Sequence, residues 1–253
     1  VLRSLRLNFE DSDRFWDARV SNAELKMLLD RIEKRAVEKI PTPYLLQEAW
    51  LTEHPFYCDE RVIIPRSYIA ELLKDELAPW VSNAENVTRV LDLCTGSGCL
   101  GILAAEVFPN AKVDCVDISQ DALDVAKINV ERYGMQDRIE LIKSDLFNEL
   151  GDRQYDVIIS NPPYVTQEAM DNLPAEYRHE PALALGAGDD GLDIVRRLMT
   201  DAKAHLTNKG VMVVEVGDGK DACEAAYPKV PFTWLATENE DAMVYLLRKD
   251  ELP

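Results

Sequence analysis

Apolar positions along this chain follow two rhythms, and the change falls near residue 87. Before it, Ser21-Asn22-Ala23-Glu24 reads as a reciprocal helix cap, Ser at its start and Glu three residues on. Leu25, Leu28, Leu29, Ile32, Ala36 and Ile40 then recur at helical spacing as far as Pro41, which predicts an amphipathic helix. The next stretch, "TPYLLQEAWLTEHPFYCDERVIIPRS", is aromatic-rich and alternates in places, which predicts a short hairpin packed by Trp50, Phe56 and Tyr57. Residues 1–65 therefore read as a small N-terminal module of helix plus hairpin, and residues 66–253 as the main domain.

From Val87 the apolar runs become short and rich in β-branched residues: "VTRVLDL", "KVDCVDI", "IELIK", "YDVIIS" and "VMVVEV". Such runs suit parallel strands buried on both faces. Helical patterns lie between them, for example "SQDALDVAKINVERYG", capped by Ser119 with Leu123, Ala126 and Val130 on one face. "DAMVYLLRK" predicts a last strand with no helix after it. Strands alternating with helices over this length predict an α/β, doubly wound, Rossmann-like sheet.

Composition changes this picture in three ways. The net charge of -18 over 253 residues repels a bare phosphate backbone, so direct nucleic-acid reading is not expected. The same charge suits a very basic protein partner, although it equally suits an acidic protein with none. The absence of an 18-residue apolar run predicts no membrane span, and "VLRSLRLNFEDSDRFW" turns acidic before any signal-peptide core develops. Because the chain starts at Val1, a further segment upstream is expected. Five cysteines form no CxxC pair and no Cys/His cluster, which predicts reduced thiols, no metal site and a cytoplasmic address. "KDEL" at 249–252 is followed by Pro253, and the sequon Asn86-Val87-Thr88 has no meaning in a cytosolic chain.

Candidate chemistry gathers at the predicted strand ends. "VLDLCTGSGCLGI" runs from a strand through Gly96-Ser97-Gly98 into a helix, the arrangement that brings backbone N–H groups close to a ligand. With Gly101 it loosely matches the dinucleotide fingerprint, a weak signal alone. The acids add to it. Asp92 is placed to meet a cationic amino-acid ligand, Asp117 to bind both hydroxyls of a ribose, and Asp145 to reach an adenine amino group beside Leu146 and Phe147. A ligand with ribose, adenine and an α-amino group but no phosphate fits this set: S-adenosylmethionine. Any single Asp here is as well read as a helix cap.

Asn161-Pro162-Pro163-Tyr164 follows the fourth predicted strand and cannot continue it, since two prolines fix φ and remove two N–H donors. The Asn161 side-chain oxygen and the Pro162 carbonyl can each accept one N–H of a planar NH2, and Tyr164 can stack on the acceptor. Adenine, cytosine, glutamine and asparagine all satisfy that chemistry.

"DLCTGSGCLGI", "DIS", "SDLF", "NPPYV" and "LPAEYRHEPALALGAGDDGLDIVRRLM" resemble the HemK/PrmB family of protein-glutamine methyltransferases, and the likeness runs over nearly the whole chain. It implies a class I SAM-dependent methyltransferase sheet. It also implies a cofactor site at Cys94, Thr95, Gly96, Ser97, Gly98, Asp117, Leu146 and Asn161, to which the strand-end reading adds Asp92, Ile118 and Asp145. It implies Asn161 and Pro162 on the glutamine amide and the loop of Glu180 near the site; the expected acceptor site comprises these with Pro163, Tyr164 and Arg66. Release-factor methyltransferases usually carry "PRPETE" after the hairpin. This chain has Pro65-Arg66-Ser67 followed by "YIAELL", closer to the branch that modifies ribosomal protein three of the large subunit. Tyr68, where that branch often has Pro, departs from the pattern. The rival readings are a release-factor enzyme, an adenine N-methyltransferase on nucleic acid, and a noncatalytic SAM-binding ribosome-assembly factor. Arg66 reads equally as a wall of the acceptor cleft or as a surface ion pair, and Glu215 equally as a site-shaping or a capping residue. His179 reads as structural, and His54 and His205 carry no functional reading. No oligomeric state follows from the sequence.

Overall fold

The computed structural model describes residues 1–7, 10, 12–237 and 243–253. A short helix α1 (Ser12–Phe15) precedes α2 (Asn22–Glu33), which runs on into a π-helical turn at Lys34–Glu38. Then come α3 (Thr42–Leu46) and an antiparallel hairpin of β1 (Ala49–Leu51) and β2 (His54–Phe56). After α4 (Ile69–Lys74) the main unit alternates β3 (Arg89–Leu93), α5 (Cys99–Val107), β4 (Lys112–Asp117), α6 (Gln120–Arg132), β5 (Ile139–Lys143) and β6 (Tyr155–Ser160). It closes with α7 (Gln167–Asp171), α8 (Asp193–His205), β7 (Leu206–Glu215), α9 (Lys220–Ala226), β8 (Thr233–Leu235) and β9 (Val244–Arg248).

The seven-stranded sheet has the order β5-β4-β3-β6-β7-β9-β8. All pairs up to β7 are parallel, and β9 inserts antiparallel to both of its neighbours. The chain winds outward from β3 to β5, then returns to β6 and winds the other way. The switch point therefore lies between β3 and β6, where a crevice opens at the carboxyl ends of the strands.

Alternation along each strand builds two cores on opposite faces. Val90, Val157, Ile159, Val211 and Val213 join the layer of α4 and α5, while Leu91, Leu93, Ile158, Met212 and Val214 join that of α8 and α9. The six predicted strands are present. The predicted last strand began at Asp241 and Ala242, which lie outside the described residues, and β9 starts at Val244. Strand β8 was not predicted: "TWL" is too short to show an alternation.

The cap of α2 forms as read, with Glu24 N–H donating to Ser21 Oγ and Ser21 N–H to Glu24 Oε2. Its apolar stripe behaves otherwise: only Leu28 is buried, while Leu25, Leu29 and Ile32 are about half exposed, at 47%, 56% and 54%. Periodicity records that a helix has an apolar face, but not what covers it. Trp50 likewise does not pack the hairpin; its ring is half exposed beneath the Arg3 guanidinium, whereas Phe56 is fully buried.

The N-terminal segment docks on the main unit through a third cluster in which Tyr44, Ala49, Cys58 and Val62 meet Ala122 and Val125 of α6. One polar group fastens the joint. Asn129 of α6, fully buried, accepts from Tyr57 N–H (2.7 Å) and donates to the carbonyls of Tyr57 (3.0 Å) and Ser97 (2.9 Å). It thus ties the hairpin exit to the glycine turn. Asn129→Ala strands buried backbone groups on both sides, so urea titration should show a loss of about 2–3 kcal/mol. A loss within a few tenths of a kcal/mol would show that the joint is held by apolar packing alone.

Candidate active site

The glycine turn leaves β3 through Cys94, itself at φ +59°, and enters α5 through Gly98 at φ +78°. A left-handed residue with no side chain is needed at Gly98, since a Cβ there would lie 3.1 Å from that of Ala126. Gly101 answers a different need: a Cβ would come within 2.2 Å of Cys115 Sγ, so α5 lies against β4 only because that atom is missing.

Behind the turn lies Asp92, 1% exposed, on the strand face that meets α5. Its Oδ2 accepts from the Thr95 hydroxyl and from Gly101 N–H (2.9 Å), and its Oδ1 is buried without a hydrogen-bond partner. Burial pushes this carboxyl up to about 7, against the pull of those two donors. Thr95 and Ser97 are buried in the same turn. Asp92, Thr95, Ser97 and Gly98 therefore form the back of the loop and do not line the cavity in front of it.

That cavity, about 270 Å³, is lined by Cys94, Gly96, Asp117, Ile118, Asp145, Leu146, Asn161 and Pro163 among others. Asp117 ends β4 with its carboxylate gripped by backbone: Oδ2 accepts from Gly96 N–H and Oδ1 from Ser119 N–H, both at 2.9 Å. Burial still raises it above the ordinary carboxylate value. Ser119 caps α6 as read, its hydroxyl accepting from Ala122 N–H. Asp145 sits at the rim, paired with Arg197 of α8 at 2.8 Å. Phe147 turns away from the cavity to stack on His205, ring centroids 4.7 Å apart. Cys94 is half-buried, and burial drives its thiol upward.

The corner after β6 divides its residues between two cavities. Pro163 faces the first; Pro162 and Tyr164 face a second of about 200 Å³, shared with Arg66, Val165, Leu173 and Tyr177. Asn161 lines both. Its Nδ2 donates to the Arg66 carbonyl at 3.1 Å, which fixes the amide and leaves Oδ1 without a protein partner among the described residues. The Arg66 guanidinium in turn makes a bidentate pair with buried Glu180, 2.8 Å on each arm, and lies over the Tyr177 ring. Arg66 thus belongs to the cleft wall. Glu180 stands behind it rather than in the cavity. Glu215, 3% exposed, accepts from Ser67 Oγ (2.6 Å) and Tyr68 N–H (2.9 Å), with the Tyr164 hydroxyl at 3.4 Å. His179 meets the Glu38 carbonyl, a structural contact as read.

Comparison with known proteins bears on what these cavities serve. A family model described as a methyltransferase small domain matches residues 71–177. A ribosomal protein uL3 glutamine methyltransferase of Neisseria meningitidis serogroup A is 52% identical over 252 residues, spanning this whole chain and 83% of its own length. The Bordetella pertussis protein of the same name is 51% identical, with 85% of its length spanned. The chain belongs to the uL3 glutamine methyltransferase family. Among solved structures, the hMettl16 catalytic domain in complex with the MAT2A 3′UTR hairpin 6 superposes with a TM-score of 0.57 at 16% identity, covering 90% of this chain and 83% of that one. That likeness is one of fold: the mainly parallel seven-stranded sheet of class I methyltransferases.

Family membership makes the cavity walls that sequence reading passed over worth naming. Arg61, Val62 and Ile63, just after the hairpin, close one side of the first cavity; Pro181, Leu183 and Ala184 close another. Val62 is held by the Tyr44 hydroxyl on its carbonyl, and Arg61 by a two-armed pair with Asp59. The adjacent apolar residues in "RVIIPRS", an irregular stretch between charges, were the available signal.

Asp92 yields a prediction with a definite sign. Its folded-state pKa of about 7 lies above the ordinary 3.8, so the folded protein holds this proton more tightly than the unfolded chain. The favourable effect is complete at low pH, and stability falls as pH rises from about 4 to about 7. Denaturation of the wild type and Asp92→Asn across that window should show the difference between them changing in this direction. A pH-independent difference would mean that Asp92 titrates in the folded protein as it does in the unfolded chain.

Proposed function

We propose that this protein transfers a methyl group from S-adenosylmethionine to the side-chain amide nitrogen of a glutamine in ribosomal protein uL3. The single observation that carries the reading is the position of Asn161, at the junction of the two cavities with its amide oriented by the Arg66 carbonyl.

The first cavity suits the cofactor. Asp117 and Asp145 line it, and the two arginines at its edge, Arg61 and Arg197, are each engaged by a carboxylate, so nothing there is built to clamp a phosphate. Asp117, with each oxygen already fixed by a backbone N–H, keeps lone pairs for ribose hydroxyls. Ile118, Leu146, Leu183 and Ile194 supply apolar surface for a flat ring. Cys94 and Gly96 border the region next to Asn161 where an amino-acid portion would lie. Asp92 stands behind that turn, spent on Thr95 and Gly101, without touching the cavity. When bound, the cofactor supplies an electrophilic methyl on a sulfonium.

The second cavity suits the acceptor amide. Asn161 Oδ1 accepts one N–H and the Pro162 carbonyl the other, which holds the nitrogen at the boundary facing the first cavity. Tyr164 and Pro162 flank the plane of the amide. Positioning of this kind lowers the entropic part of the barrier and needs no strong base before attack, because the nitrogen becomes acidic only as the new bond forms. As the new C–N bond forms and the sulfonium C–S bond breaks, the nitrogen loses one proton to solvent, while Asn161 and Pro162 hold it by hydrogen bonds. Residues 1–65, with Val62 and Ile63 forming part of the cofactor wall, serve as the module that chooses the protein substrate. The net charge of -18 steers a basic ribosomal protein toward the site, in the cytoplasm where such proteins are made.

Intact-protein mass spectrometry after incubation with S-adenosylmethionine tests the reading, with uL3 and a release factor offered separately. Gain of one methyl on uL3 alone is expected, with kcat reduced about 100-fold or more in Asn161→Ala. Gain on the release factor alone would overturn the substrate. No gain on either would overturn the activity.

A further inference from the structure

The orientation of Asn161 depends on a backbone carbonyl, so whatever holds residues 66–68 still also holds the reacting amide. Two buried carboxylates from different elements do so. Glu180, from the loop beyond the second cavity, takes both arms of the Arg66 guanidinium. Glu215, the last residue of β7, takes the Ser67 hydroxyl and the Tyr68 N–H on a single oxygen, Oε2. Its other oxygen faces the hydroxyl of Tyr164 at 3.4 Å. Two residues on, Gly217 turns at φ +52° directly under that ring, where a Cβ would come within 2.7 Å of Tyr164 Cε2.

We infer that Glu215 is a positioning residue for methyl transfer: it fixes the two sides of the acceptor cavity, the 66–68 segment and Tyr164, relative to each other so that Asn161 presents its acceptor oxygen. The inference rests on the glutamine-methyltransferase reading of this site. Neither side of the cavity is held by a regular element at that point. Arg66–Tyr68 precedes α4, and Tyr164 follows two prolines, so backbone pairing does not set their separation. A carboxylate gripping both sets it directly. Its position also explains why an acid stands at 3% exposure at the end of a buried strand, where an apolar residue would cost less. Burial raises its pKa, and the Ser67, Tyr68 and Tyr164 donors oppose that rise.

The role separates from simple stabilisation by its kinetic form. Steady-state methylation of uL3 is measured for wild type, Glu215→Ala, Glu215→Gln and Ser67→Ala, with S-adenosylmethionine affinity by isothermal titration calorimetry. Glu215 does not line the cofactor cavity, so that affinity should stay within about twofold in every variant. Glu215→Ala should lower kcat at least tenfold. Glu215→Gln, which keeps an acceptor for Ser67 and Tyr68, should restore most of it. Ser67→Ala, which removes one grip and leaves the fold's cores untouched, should fall between them. Wild-type kcat in Glu215→Ala would overturn the assignment. So would equal losses in the Ala and Gln variants accompanied by a matching loss of cofactor affinity, the mark of a merely structural defect. A wild type that methylates no glutamine would bring down the underlying reading itself, and this inference with it.

Discussion

The hydrogen bond from Asn161 Nδ2 to the Arg66 carbonyl is the constraint on which the candidate site depends. An amide side chain is a donor at one end and an acceptor at the other, and in isolation it can present either. A carbonyl accepts only, so the nitrogen end must face Arg66 and the oxygen end must face the cavities. The two prolines complete the arrangement from the other direction. With φ fixed and no N–H to satisfy at Pro162 and Pro163, the corner holds its shape without borrowing hydrogen bonds from the second cavity. A loop that needed such bonds would compete with the substrate for them.

The sheet sets one side of that bond, and polar side chains hold the other. The sheet brings β3, β4 and β6 to one edge, and so delivers the glycine turn, Asp117 and Asn161 to a common crevice. The segment opposite, 57–68, belongs to no strand or helix and is pinned at several points along its length. Asn129 holds Tyr57, Asp59 holds Arg61, Tyr44 holds Val62, Glu180 holds Arg66 and Glu215 holds Ser67. A strap fastened by individually modest polar contacts can be rigid as a whole, because each contact restricts the same short piece of backbone.

Sequence reading reached those cavity-lining residues that follow from strand parity and chain direction. Asp117 ends β4, and Asp145 and Asn161 lie just beyond β5 and β6; the carboxyl edge of a doubly wound sheet is where such residues converge. Asp92 ends a strand too, yet it shares the face of Val90, under α5, and its side chain is spent on Thr95 and Gly101. Alternation decided this, and it could have been counted from Val90. The walls formed by Val62, Ile63, Pro181 and Leu183 left only a faint signal, apolar residues in irregular segments with no period to register. Sequence left Glu215 open between a site-shaping and a capping residue, because its partners lie 147 and 148 residues away along the chain. The exposed stripe of α2 shows the converse: a strong period that specified a helix correctly and a burial pattern only for Leu28.

Single-turnover methyl transfer to a glutamine in uL3 by Asn161→Asp tests the central claim most directly. The substitution keeps shape and acceptor capacity but removes the donor that faces the Arg66 carbonyl. If orientation by that carbonyl is what makes the site work, transfer should slow about 100-fold or more while S-adenosylmethionine still binds. Transfer at the wild-type rate would contradict the account, since a side chain that accepts at both ends would then serve as well as one the backbone has oriented.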